Sequence, residues 1–471
     1  MARRTFIVGV GCTQFIKPRG TRTTEDLGLE AATKALLDAG LTYDAVDSAT
    51  VGYCYGDSTS GQRALYSLGL TRIPIANVNN NCATGSTALV FANSAVRFGD
   101  AECALALGFE RMAPGSLGSV YKDRPNPMAL WGERTAELER DPRLGANHGP
   151  PAPREFDNAA REYFAKYGGD KTHLAKIAAK NHQNAVNNPY AQFRAGWTEE
   201  KVLAAQSITA TLTKYMCSPT SDGAACCIVA SEAFVRAHHL ENQAIEIVAQ
   251  STMTDGPETF GDVDTPTPAM DLIGYSMTKA CADKVFATAN ASRDEVGVVE
   301  LHDCFAANEL VTYAALGLCA PHDACGFVER GDFKPPGKYA INPSGGLEAK
   351  GHPLGATGLA MCFYIVCQLR NWAGPMQVPG LFDVQDPRGK YGLVHNIGLG
   401  GAVVVTLLRR PDFWAVGGED GRDRLTYNHA HVVRPVTRAD VERVRARTRG
   451  QGSGARSDGS TCSAWIESLF D

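Results

Sequence analysis

Short apolar runs alternate with segments of helical spacing through residues 5–120, the pattern of an α/β layer built from strands and helices in turn. Segments 6–10, 50–53, 75–78 and 103–108 read as strands. Between them, 27–39 has helical spacing, with Asp26 or Thr24 as its N-cap. Residues 121–204 change texture, being richer in proline, asparagine, histidine and charge, with amphipathic stretches such as 174–185. They read as an inserted loop domain. Residues 205–245 return to the first pattern, with 224–230 as a buried strand. A second α/β stretch covers 246–410: a strand at 297–301, helices at 305–316 and 355–369, and a strand pair within 394–408. The tail, 411–471, is Arg-rich over 434–449, then runs Gly450-Gln451-Gly452-Ser453-Gly454, and lacks a sustained apolar period. It is expected to be disordered or loosely attached. The expected organisation is an N-terminal half (1–120 with 205–245), the loop domain (121–204), a C-terminal half (246–410) and the tail.

A short internal repeat suggests that the two halves are duplicates. Asn80-Asn81-Cys82-Ala83-Thr84-Gly85-Ser86 leads into an apolar helix in the first half, and Gly351-His352-Pro353-Leu354-Gly355-Ala356-Thr357-Gly358 does the same in the second. Each half thereby places one reactive side chain at a helix start beside small residues.

Composition narrows the function classes. The chain has 471 residues, 44% hydrophobic and 21% charged, ordinary for a soluble enzyme with a sizeable core. Its formal charge of −5 argues against nucleic acid as a partner. No apolar run is long enough to span a bilayer. Of 14 cysteines, none forms a Cys-x-x-Cys pair, and Cys103, Cys226, Cys227, Cys362 and Cys367 sit in apolar stretches as small buried hydrophobes.

Cys82 and Cys304 have different surroundings. Cys82 follows an apolar segment and enters a helical run at a polar, Asn-rich turn, where unpaired N–H groups and the helix dipole favour a thiolate and lower its pKa. The competing reading is an inert buried cysteine. His352, between Gly351 and Pro353, is the candidate partner that takes the thiol proton. His148, His182, His238 and His239 read as structural. Strand 297–301 ends at His302-Asp303-Cys304-Phe305, where α/β proteins place ligands. Asp303 reads as the cap of the next helix; His302 and Cys304 suggest a hydrogen-bond donor and a proton-transfer group. A His-x-Cys metal site there lacks further ligands at suitable spacing, so no metal is expected.

These segments together resemble the thiolase superfamily and, within it, the sterol carrier protein X-type thiolases. The resemblance runs over residues 5–408. It rests on Asn79-Asn80-Asn81-Cys82-Ala83-Thr84-Gly85-Ser86, His302-Asp303-Cys304-Phe305 and Gly351-His352-Pro353-Leu354-Gly355, with support from Asn187-Asn188-Pro189-Tyr190, Pro219-Thr220-Ser221-Asp222-Gly223 and Asn342-Pro343-Ser344-Gly345-Gly346. The order of these motifs is far more specific than any one of them.

The resemblance implies a thiolase fold: two duplicated βαβαβαββ halves in five layers, with an inserted loop domain. It implies thiolytic cleavage of a 3-oxoacyl-CoA, with Cys82 accepting the acyl group and His352 activating it. His302 stands where most thiolases have an Asn that helps build an oxyanion hole. The second catalytic cysteine of a Cys-x-Gly motif is missing, because the aligned stretch reads His395-Asn396-Ile397-Gly398. In the sterol carrier type the cysteine of His-Asp-Cys-Phe is thought to replace it, which points to Cys304. Gly398 keeps a backbone N–H for a second oxyanion hole with that of Cys82. The implied partners are acyl-CoA substrates and CoA, the latter a co-substrate with no further cofactor, and the implied assembly is a homodimer. Peroxisomal residence is the family expectation, although the sequence ends without a Ser-Lys-Leu-type tripeptide; cytoplasmic or mitochondrial residence is the alternative. No lipid-transfer domain is expected in the polar tail. The rival functions are a non-catalytic acyl-CoA- or lipid-binding relative and a Claisen-condensing synthase.

Overall fold

The computed structural model describes residues 2–113, 118, 121–142, 144–260, 267–381, 390–414 and 433–447. Its strands are β1 (Thr5–Cys12), β2 (Ser48–Gly52), β3 (Ile75–Val78), β4 (Cys103–Glu110), β5 (Gly223–Ser231), β6 (Ile245–Met253), β7 (Val296–Glu300), β8 (Ala340–Ile341), β9 (Tyr391–Gly398) and β10 (Ala402–Arg409). They lie in the order β3-β2-β4-β5-β1-β6-β10-β9-β7-β8. Numbered from its own first strand, each half has the same order, 3-2-4-5-1, with the second reading back from the opposite edge. Pairing directions repeat as well. The second strand is parallel to the third and fourth, and the fourth and first flank the fifth in antiparallel fashion. The halves meet where β1 pairs with β6, Phe6 opposite Glu246 and Ile7 opposite Ile245. The short repeat seen in sequence is therefore the trace of a duplicated sheet.

Strand alternation sorts side chains between layers. Phe6 and Val8 of β1, with Leu105 and Leu107 of β4, join the outer core under the Thr24–Ala39 helix. Ile7 and Val10, with Ala104 and Ala106, face the central core. The small residues on that central face admit two helices, the wholly buried Leu354–Arg370 and Thr84–Phe98, which keeps Phe91 and Phe98 exposed; they pack on each other and on β4 and β5. Their approach is close: a Cβ at Gly85 would lie 2.7 Å from the Gly355 carbonyl oxygen, and one at Gly108 would overlap it. The helix Tyr275–Ala289 covers β6 and β10, completing five layers. Between β4 and β5 the described chain holds four α-helices, among them Pro151–Tyr167 and Lys171–Ala185, a short 3-10 turn at Lys214–Met216, and no strand.

Two local expectations change. The first helix is capped by Thr23, not Thr24 or Asp26: Thr23 accepts from the Asp26 N–H, while the Asp26 carboxylate accepts from the Thr23 N–H. That reciprocal box contributes about 1 kcal/mol and places the cap one residue earlier than the apolar spacing suggested. Part of the tail is also docked. The helix Arg438–Val444 buries Val441 and Val444 against the outer core, and the Ala446 N–H donates to the Leu68 carbonyl at 2.9 Å. Two apolar residues in a charged segment are too few for periodicity to reveal. Residues 415–432 and 448–471 lie outside the described chain.

Candidate active site

The strand–helix turns after β3 and β7, the β9–β10 hairpin turn and the start of the Leu354–Arg370 helix converge on one point. Cys82 occupies the tight turn after β3. Asn81 there has φ +50°, a left-handed conformation that asparagine tolerates. Thr84 locks the turn by accepting from the Asn80 N–H at 2.8 Å and donating to the Asn81 carbonyl at 2.6 Å. The Asn81 amide reaches across the halves to the Leu399 carbonyl, 3.0 Å away. At the end of β9, a Cβ on Gly398 would come within 2.2 Å of the Asn80 carbonyl oxygen, so only glycine lets this strand end lie against the nucleophile turn.

Cys82, His302 and His352 come together here: the sulfur and one ring nitrogen of each histidine lie within 4.8 Å of one another. The two imidazoles meet edge to face, with centroids 5.0 Å apart. His352 has a defined tautomer. Its Nδ1 lies 2.7 Å from Thr357 Oγ1, and that hydroxyl donates its own proton to the Pro353 carbonyl at 3.0 Å. Thr357 must therefore accept, so Nδ1 carries the proton and Nε2 presents a lone pair. Nε2 is buried and has no hydrogen-bond partner among the described residues. His302 Nδ1 lies 2.9 Å from the Asn396 amide nitrogen.

Cys304 is buried at the start of the Ala306–Ala315 helix, close enough to Cys82 for a thiolate on one to disfavour a thiolate on the other. Its carbonyl accepts from the Ser218 N–H at 2.8 Å. Burial, reinforced by Cys82, pushes its thiol well above the ordinary range. All five sequence-selected residues thus line this region, with Gly398 behind the Cys82 turn.

The electrostatics reverse one expectation. Cys82 precedes Ala83, the N-cap residue, so it stands outside the helix. Burial pushes its thiol up to about 12, and the backbone N–H of Cys82 offsets only part of this. His352 is driven down to about 3, by burial first and then by Lys350. His302 is driven well below the ordinary histidine value, again chiefly by burial. Desolvation overrides the helix dipole, and the resting site is a neutral thiol beside neutral imidazoles.

Asp303 also departs from its expected role. Its helix is capped by Phe305 without a side-chain bond, while the Asp303 carboxylate accepts from the Leu347 N–H at 2.7 Å and the Glu348 N–H at 3.3 Å. It anchors the turn leading to His352. His182 is structural as expected, its Nε2 sitting 3.0 Å from the Tyr215 carbonyl.

Sequence reasoning missed Thr357, Asn396 and Glu110. Glu110, at the end of β4, accepts N–H bonds at 3.0 Å each from Cys54, Tyr55 and Gly355, tying the first half to the His352 helix. Thr357 lay in a quoted motif and Asn396 at the noted position of the absent cysteine, but their roles depend on partners distant in sequence or on hydroxyl geometry.

The chain matches the family description "thiolase, N-terminal domain" over residues 5–233 and "thiolase C-terminal domain-like" over residues 265–408. Sterol carrier protein 2 of Gallus gallus is 51% identical over 409 residues, covering 86% of this chain and 72% of the relative. Non-specific lipid-transfer protein-like 2 of Caenorhabditis elegans is 41% identical over 409 residues, 86% of this chain and 96% of the relative. A solved structure of human mitochondrial 3-ketoacyl-CoA thiolase superposes with a TM-score of 0.60 at 19% identity, covering 86% of this chain and 98% of that one, a likeness of fold.

Proposed function

The chain is an acyltransferase of the thiolase family, in the branch of the sterol carrier protein X-type enzymes, and from that premise we propose that it cleaves 3-oxoacyl-CoA thioesters with CoA. The observation that carries this reading is the Cys82 sulfur beside the unpartnered His352 Nε2, with the Cys304 thiol at hand.

Cys82 gives its proton to His352 Nε2 as its sulfur attacks the C3 carbonyl. Coupling the two events suits a thiol that does not ionise at rest, because charge forms only as the oxyanion and imidazolium appear together. The backbone N–H groups of Cys82 and Gly398 receive the C3 oxyanion; one such donor lowers the barrier by about 3 kcal/mol. The C2–C3 bond then breaks, leaving an acyl group on Cys82 and the enolate of acetyl-CoA, or of propionyl-CoA from a 2-methyl substrate. His302 and His352 hold the enolate oxygen while the Cys304 thiol protonates C2. The Cys304 thiolate next takes the thiol proton of incoming CoA, whose sulfur attacks the acyl group and expels the Cys82 thiolate, which recovers its proton from the His352 imidazolium. Run backwards, the same steps are a Claisen condensation.

A homodimer and peroxisomal residence belong to the same proposal. The edge position of β3, with Ala76 and Asn77 exposed, is consistent with pairing to a second copy.

The test is thiolysis of short, long and 2-methyl 3-oxoacyl-CoA substrates, followed by loss of the enolate absorbance after CoA is added. Intact mass is measured on enzyme mixed with substrate alone. Turnover with an acyl adduct on Cys82 supports the reading. Tight acyl-CoA binding with neither adduct nor turnover would replace it with the binding-protein alternative.

A further inference from the structure

The proposed chemistry asks opposite things of two neighbouring imidazoles. His352 must accept a proton at Nε2, and its Nδ1–H to Thr357 provides for that. His302 must donate to an enolate oxygen, so it needs its proton on the ring nitrogen that faces the pocket. Its other nitrogen, Nδ1, is committed to the Asn396 amide at 2.9 Å.

Asn396 occupies the position where most thiolases carry their second catalytic cysteine, so a reactive thiol has given way to an amide that contacts a histidine. We infer that Asn396 is a positioning residue for this reaction: its amide donates to His302 Nδ1 and so holds the proton of His302 on Nε2, toward the thioester oxygen. The inference rests on the thiolase reading above and deepens it.

The pocket's own hydrogen-bond count agrees. The Cys82 thiol has one proton to give; at rest it points to Asn81 Oδ1 at 3.8 Å, and His352 Nε2 is the unpartnered lone pair that takes it on reaction. A bare His302 Nε2 would add a second acceptor to a pocket in which His352 Nε2 is already an unpartnered one among the described residues. With the proton on Nε2, the pocket holds one thiol donor, one imidazole donor and one acceptor.

Among the described residues, nothing else around His302 fixes the ring in this way. His395 receives the His302 backbone N–H at a long 3.5 Å and turns its own Nε2 to the Thr278 hydroxyl at 3.1 Å. It supports the loop and leaves both ring nitrogens of His302 alone. The cysteine replaced by Asn396 and the asparagine replaced by His302 therefore form one linked exchange. The donor to the enolate oxygen has moved from an amide, which has no tautomer to set, to an imidazole, which has; the amide at 396 sets it.

The test is a two-by-two set of variants in the full chain, assayed for 3-oxoacyl-CoA thiolysis, with alkylation of Cys82 by iodoacetamide as a check that the pocket is intact. Asn396→Asp puts an acceptor opposite His302 Nδ1, draws the proton there and leaves Nε2 bare. In the wild-type background it is expected to lower kcat by roughly 10²- to 10³-fold, the effect of one lost oxyanion donor, with KM within about 3-fold. In the His302→Asn background the residue at 302 donates whatever stands at 396, so Asn396→Asp should cost less than about 3-fold more. If Asn396→Asp does not fold, Asn396→Leu is read against the same two backgrounds.

An Asn396→Asp enzyme with near-wild-type kcat overturns the inference, because the amide oxygen must then have been facing His302. Equal losses in both backgrounds also overturn it, since the role of Asn396 would then be packing alone. A wild-type chain that never turns over 3-oxoacyl-CoA sinks the thiolase reading and this one together; wild-type turnover beside an active Asn396→Asp sinks only this one.

Discussion

Two buried polar regions lie back to back at the centre of this molecule, and adjacent residues belong to opposite ones. His302 faces the reaction pocket while Asp303 turns into an ionic cluster; His352 faces the pocket while Lys350 points away from it. In the cluster, Glu309 accepts from Lys180, Tyr313, Asn181 and Asn342, at 2.5 to 2.9 Å. Lys350 pairs with Glu300 at 2.6 Å and donates to Ser344 at 2.7 Å. Asp303 and Glu348, crowded against Glu309, are pushed well above the carboxylate range by burial and then by their neighbours. The pocket keeps neutral groups and leaves His352 Nε2 unpartnered. Charge is spent on the scaffold and withheld from the reactants: paired ions fix the loops, and neutral groups can move protons at low cost.

The sharpest way to break this contrast is to remove the nucleophile. Cys82→Ala should cut thiolysis by at least about 10⁴-fold and abolish the adduct in intact-mass spectra, with little change in the thermal midpoint. A stable Cys82→Ala protein with residual turnover above that level would mean another group attacks the substrate. Cys304→Ala should lower kcat by about 10²- to 10⁴-fold, the usual contribution of a placed proton donor, again with little loss of stability. Normal kcat in that variant would show that some other group protonates the enolate.

The cluster should respond in the opposite sense. Lys350→Met strands Glu300 in the core and should cost about 3–5 kcal/mol by chemical denaturation. Adding Glu300→Leu should recover most of the loss, since an apolar pair can replace a buried ion pair. A Lys350→Met chain as stable as wild type would show that the cluster does not hold the His352 turn.

The smallest expected effect is in pH dependence. His352 folds with its pKa lowered to about 3, so the unfolded chain binds a proton that the folded chain refuses. Stability therefore falls as pH drops from about 6.5 toward 3 and rises again on the way back. His352→Gln should remove this contribution, reducing proton uptake on unfolding near pH ~5 by about one. Identical uptake in the two proteins would mean that His352 is solvated in the folded state.

Much of both regions was legible along the chain. The run of motifs around Cys82, His302, Cys304 and His352 identified the residues that meet in the pocket, and the matching turns at 80–86 and 351–358 disclosed the duplication that the 3-2-4-5-1 strand order displays in both halves. Eight of the ten strands were visible as short apolar runs; Ile245–Met253, which mixes polar residues into its run, and the two-residue Ala340–Ile341 were not. The Arg438–Val444 helix was not, because two buried valines among charges leave no period. Asp303 looked like a cap because caps are local, whereas its actual partners lie more than 40 residues away.

What the sequence determined by itself is the chemical inventory and the fold that presents it. Residue type fixes which atoms can attack, accept or donate, and apolar spacing fixes which segments form layers. The tertiary structure decided the state of those atoms. It set Cys82 as a neutral thiol rather than the thiolate a helix start suggests, because burial depends on all layers at once. It also gave His352 and His302 different partners at Nδ1, Thr357 five residues away and Asn396 ninety-four residues away. Proton position follows from a hydrogen bond of about 3 Å, and no spacing along a chain encodes such a distance until the two halves have closed on each other.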